Sequence, residues 1–198
     1  MAVGNLPGKS FAEMGGLIDL NASVFAPTPF TKELFLAIFW EETFYNNIAQ
    51  TGAGHAVGFG QAEPAEFYRF DANGSLSAAA KAGGYLVENL PRRNGKALMG
   101  ALDDYTAVRV SCALVRDIYE RGIKSKQSLL NAYGGVGFKG PQAAHLAKPG
   151  GREAILQGML NCEAALLAAT GPSDVMSALK LAREFNQDDE FKKILFPG

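Results

Sequence analysis

The stretch "PFTKELFLAIFWEETFYN", from Pro29 to Asn46, is apolar around most of a helical circumference, and it restricts the possible folds more than any other segment. A helix with one apolar stripe lies on a core, whereas a helix apolar nearly all round must be surrounded by other elements. The spacing therefore predicts a long central helix from Pro29 to about Asn46, with Thr28 as its cap ahead of a first-turn proline. At about 100° per residue, Leu34, Phe35, Ile38 and Phe39 form one arc, and Glu42 projects into its middle. Glu41 falls one step to the side. A carboxyl group held against apolar neighbours loses hydration of its charged form, which raises its pKa towards the range that a general acid needs. Spacing thus favours Glu42 as the acid and leaves Glu41 as a neighbour that tunes it or is simply solvated. The bland alternative is that Glu42 ends its helix by turning out to water.

Helical periodicity dominates the rest of the chain, and alternating strand-like runs are scarce, so the class is mainly α. Ser10 and Glu13 have capping-box spacing and open a first helix that runs to about Asn21. Further helices are expected from about Pro64 to Phe70, Ser75 to Asn89, Asp103 to Arg121, Lys126 to Ala132, Arg152 to Ala169 and Ser173 to Phe185. Between them, "QTGAGHAVGFGQ" is too rich in glycine to remain helical and reads as a compact loop or short irregular ribbon. Its glycines, Gly52, Gly54, Gly58 and Gly60, leave room for a backbone or ligand to approach, and Gln61 supplies an amide donor and acceptor. Acid, glycines, amide and Pro64 together suggest the floor of a cleft.

With 198 residues, of which 47% are hydrophobic and 20% charged, the chain suits one globular domain. Its 19 basic and 20 acidic side chains are mixed along the sequence, without the basic stripe that tracks phosphates. That argues against nucleic acid, and the local group of Arg92, Arg93 and Lys96 reads more simply as a solvated loop than as an anion site. Cys112 and Cys162 form no CxxC and no metal-ligand spacing, so no structural metal or other cofactor is expected. The two cysteines are buried thiols or one disulfide, the thiols being favoured. No apolar run approaches a membrane span, and the N-terminus shows no basic region leading into a long apolar one; a soluble chain without a visible export signal is expected.

Three segments carry a resemblance to a known family. "E-T-F-Y-N-N-I-A", from Glu42 to Ala49, resembles the E-S-x-F-x-x-x-A signature of the soluble lytic transglycosylases, members of the lysozyme-like superfamily. "A-G-H-A-V-G-F-G-Q-A-E-P", from Ala53 to Pro64, is similar to that family's A-G-A-x-G-L-M-Q-x-x-P, with His55 as one extra residue. "N-A-Y-G-G", from Asn131 to Gly135, is a fainter echo of its A-Y-N-A-G. In this register Glu42 takes the catalytic position, Thr43 the following serine, Tyr45 the aromatic, Gln61 the glutamine of the glycan-binding floor and Tyr133 the tyrosine of the third motif. The chain departs from the pattern at Gly60, where the family has Met, and at Gly134, where it has Asn. The segment between Asp71 and Asp103 is longer than the connection expected, and the helices after Gly150 match no motif.

The resemblance implies one lysozyme-like domain over residues 1–198, with a motif-bearing core at about 28–135 and a helical extension at about 150–198. It implies cleavage of the β-1,4 bond between N-acetylmuramic acid and N-acetylglucosamine in peptidoglycan glycan strands, by transglycosylation or as a muramidase. Glu42 would protonate the glycosidic oxygen and then act as base on the muramyl 6-hydroxyl, so that no second carboxylate is strictly needed. Hydrolysis would want one, and Glu63, Glu66 and Asp71 are in reach by chain position. Glu63 and Glu66 flank Pro64, however, and equally suit the acidic first turn of a helix. His55 is a weak sugar-binding candidate, and His145 has less to recommend it. Of Tyr45, Phe59, Phe67 and Tyr68, one or two are expected to stack on sugar and the rest to pack. Two rival readings are a lysozyme-like module that binds glycan without turnover and a hydrolase acting on chitin. Activity would lie at the bacterial cell wall; delivery stays open between holin-mediated release of a phage lysin, a dedicated secretion machine and a removed leader, and no immunity partner is readable.

Overall fold

The computed structural model describes residues 6–50, 56–62, 102–134 and 151–198. The fold is all-α, with eight helices among the described residues: α1 (Phe11–Asp19), α2 (Ala22–Phe25), α3 (Lys32–Thr43), α4 (Asp104–Glu120), α5 (Lys126–Tyr133), α6 (Arg152–Ala168), α7 (Pro172–Ala182) and α8 (Asp188–Leu195). The helices expected over Pro64 to Phe70 and Ser75 to Asn89 lie outside the described residues, as do Arg92, Arg93 and Lys96.

α3 is the central element that its sequence demands. Every residue from Leu34 to Trp40 is buried, and so is Thr43. α6 packs along it, α1 and α7 lie beside it, and α4 packs against α1, α2 and α5. The start of α3 differs from the expected one. Thr28 Oγ1 accepts from Phe30 N at 3.2 Å within the preceding turn, and Thr31 is the cap, accepting from Leu34 N at 3.0 Å. A cap must reach an unpaired first-turn amide three residues on, and the Thr28 hydroxyl is already committed nearer by. The helix also ends earlier than Asn46, because Phe44 (φ 51°) and Tyr45 (φ 59°) are both left-handed. That conformation is unfavourable for bulky residues; here both rings pack edge-on against Trp40, at 4.8 and 5.1 Å between centroids.

One buried carboxylate ties three elements together. Glu163 on α6, only 4% exposed, accepts at Oε1 from the Thr31 hydroxyl at 2.5 Å and from Lys126 Nζ at 2.6 Å. The cap of α3, the first turn of α5 and the middle of α6 therefore share one oxygen. At the first helix, Glu13 N donates to Ser10 Oγ (3.2 Å) and Ser10 N to Glu13 Oε2 (2.7 Å), completing the expected capping box.

The helix α8 has no counterpart among the expected elements, although its charges, Asp188 to Glu190 first and Lys192 and Lys193 last, suit a helix dipole. Its Phe191 ring stacks on Phe185 at 4.5 Å, and both rings meet Trp40 edge-on. Cys112 and Cys162 are buried free thiols. Among the described residues no helix is long and apolar enough to cross a membrane.

Candidate active site

Three segments far apart in sequence meet at the C-terminal end of α3. Thr43 Oγ1 lies 3.1 Å from Phe39 O in its own helix and 3.0 Å from Phe59 O in the glycine-rich segment, so its single proton is shared between helix and loop. Tyr133, the last residue of α5, donates its hydroxyl to Gly60 O at 3.0 Å. Ser111 Oγ on α4 stands 3.2 Å from the same phenol oxygen; with the phenol proton spent on Gly60, the serine is the donor of that pair. The loop is a narrow ribbon, with isolated bridges of Val57 to Ala49 and to Ala62.

Gly60 and Gly134 both lie in closely packed surroundings. A Cβ on Gly60 would stand 2.3 Å from the Tyr133 hydroxyl, 2.4 Å from Ser111 Oγ and 2.9 Å from the Phe39 ring. A Cβ on Gly134 would meet Leu156 Cδ2 at 2.8 Å. Tyr133 and α6 occupy the volume that larger side chains would need.

The electrostatics differ from the arc-based expectation. Glu42 does not end in an apolar pocket: its Oε1 accepts from Arg152 Nη2 at 2.5 Å, with side-chain exposures of 15% and 22%. Arg152 Nε also donates to Gly134 O at 3.1 Å. The carboxyl that burial raises is Glu41, pushed up to about 7 by desolvation and then by the charge of Glu42, with Arg183 and Arg152 opposing. Arg183 donates from Nη1 to Glu41 O at 2.8 Å and lies over the Phe44 ring at 4.0 Å. A helical arc built from α3 alone contains neither arginine, since both arrive from later in the chain.

The remaining candidates divide sharply. Tyr45 and Phe59 are both 0% exposed, so neither offers a face to a sugar; they are packing residues, and burial pushes the Tyr45 phenol well up. Gln61 is partly exposed at φ 49° and donates from Nε2 to Ile48 O (3.1 Å) and Gly58 O (2.9 Å), which fixes the ribbon. Tyr133 holds the loop through its hydroxyl, and its phenol is raised by burial. His55, Glu63, Glu66, Asp71, Phe67, Tyr68 and His145 lie outside the described residues. No group of His, Cys, Asp and Glu able to hold a metal occurs among the described residues.

No family model, curated protein or solved structure matches this chain.

Sequence reasoning missed Arg152, Arg183 and Ser111. Arg152 did leave a signal: a cation in the first turn of a helix faces the positive end of the dipole and is out of place without a nearby anion. Nothing in the local sequence of Ser111 or Arg183 points to the site.

Proposed function

We propose that the chain is a lysozyme-like glycosidase that cleaves the β-1,4 bond between N-acetylmuramic acid and N-acetylglucosamine in peptidoglycan, with Glu42 as general acid and base. The observation that supports this most is the assembly of the motif-bearing segments around one carboxylate. Thr43 meets Phe59 and Tyr133 meets Gly60, and Arg152, from a helix outside the motifs, bridges Gly134 and Glu42. Segments whose resemblance was independent in sequence are joined by hydrogen bonds in space.

In this reading Glu42 protonates the glycosidic oxygen while positive charge develops at the muramyl anomeric carbon. The 6-hydroxyl of the same sugar then closes on that carbon and returns a proton to Glu42, giving a 1,6-anhydro product. Water in place of the 6-hydroxyl would make the enzyme a muramidase. The Glu42→Gln protein should retain its helical circular dichroism and lose clearing of purified cell walls. Mass spectrometry of the fragments separates the two outcomes, because the anhydro product lacks the elements of one water. A Glu42→Gln protein that clears walls at the normal rate defeats the proposal.

A second reading has a specific observation in its favour. Arg152 occupies one oxygen of the Glu42 carboxylate, so only the other is open to a glycan, which suits a module that binds glycan without cutting it. Such a module would retain muropeptides or chitin oligomers on the wild-type protein and release no fragments. Digesting peptidoglycan and chitin side by side covers the remaining substrate choice.

A further inference from the structure

We propose that Arg152 is a positioning residue for Glu42, a fixed guanidinium that anchors one carboxylate oxygen and stabilises the charge left on Glu42 when its proton departs. The inference rests on the reading of Glu42 as acid and base. Its basis is the geometry of one planar group. Nη2 holds Glu42 Oε1, 110 residues away in sequence, while Nε of the same plane holds Gly134 O, 18 residues away. Two bonds from one rigid fork fix the orientation of the guanidinium as well as its place.

The position in the fold argues for a purpose beyond packing. Arg152 lies in the first turn of α6, where the helix dipole disfavours a cation. Both partners are largely covered, so solvent screens the pair less than a surface ion pair. An arginine does not give up its proton at working pH, so it cannot replace Glu42 as the acid. It acts on the carboxylate instead. With Oε1 anchored, Oε2 carries the proton and passes it to the glycosidic oxygen as the C1–O bond breaks, the bonding pair leaving on that oxygen. The 6-hydroxyl oxygen then bonds to C1, and its proton returns to Oε2. Arg152 faces the negative charge present between those two transfers, where a preorganised donor contributes most.

The test compares wild type, Arg152→Ala, Arg152→Lys and Glu42→Gln on purified cell walls, with kcat and KM measured separately and with millimolar guanidinium ion added or omitted. Arg152→Ala should lower kcat by about 10²-fold, the usual scale for removing one preorganised donor, with KM little changed. Added guanidinium should restore part of that rate, and should do nothing for Glu42→Gln. Arg152→Lys should fall between, since its ammonium keeps the charge without the fork, and it carries the test if the alanine variant does not fold. A folded Arg152→Ala or Arg152→Lys protein with wild-type kcat overturns the inference, as does a loss in Arg152→Ala that guanidinium leaves untouched. If Glu42→Gln is inactive in the same series, only the role of Arg152 is lost. A wild type that cuts no glycan removes the catalytic reading and this inference together.

Discussion

Glu41 brings its carboxyl group into half-buried surroundings beside a second carboxylate, and folding consequently favours its protonated form. The pKa rises from an ordinary 4.5 to about 7 in the native state. Below the unfolded value both states are protonated and the group has no effect on stability. Between the two values the native state binds the extra proton, so stability falls as pH rises, and the full loss is present above about 7. A rise of this size corresponds to at most roughly 3 kcal/mol. Glu41→Gln removes the ionisation, so it should leave unfolding unchanged at about pH 4 and stabilise the protein by about 1–3 kcal/mol at about pH 8. Urea titrations at the two pH values measure this, and equal gains at both would show that burial of the ionised group is not the cause.

At the scale of elements, the ribbon from 56 to 62 is held by helix ends rather than by a sheet. Gly60 is its point of closest approach, with Tyr133, Ser111 and Phe39 all inside the space a methyl group would take. Gly60→Ala should therefore cost about 1–3 kcal/mol, the range for overpacking a filled interior. Tyr133→Phe in the same chain should recover part of it by removing the oxygen nearest the new methyl. Chemical denaturation of the single and double variants checks both statements. The same elements show what the sequence could reveal. The apolar circumference of Leu34 to Trp40 announced a surrounded helix, Ser10 and Glu13 announced a cap, and the glycines announced a ribbon, because each of these signals is local. Thr28 was the wrong cap for a reason also local but finer, the competing amide of Phe30. Arg152 and Arg183 were illegible as partners of the acids because periodicity carries no information about a contact made across more than a hundred residues. α8 was legible in its charge order and was missed because its apolar face rests on two residues, Phe191 and Leu195.

For the whole molecule, the centre of gravity of the packing is Trp40, the single tryptophan of the chain. It is fully buried and touches Phe44 and Tyr45 from its own segment, Phe185 from the connection between α7 and α8, and Phe191 from α8. Phe191→Ala should cost about 3–5 kcal/mol, as truncation of a buried aromatic does, and should shift the tryptophan emission to the red as water reaches the indole. Unfolding curves followed by emission and by circular dichroism test this, and an unshifted spectrum would mean that α8 does not cover Trp40. The tie at Glu163 has a consequence in time as well as space. A chain leaving the ribosome presents α3 long before α6, so its first-turn cap lacks Glu163 and its terminal carboxylate lacks Arg152 until that helix has been made. The Glu42–Arg152 pair is completed late in synthesis, and a nascent chain halted ahead of α6 carries the carboxyl groups of α3 without the guanidinium that holds one of them.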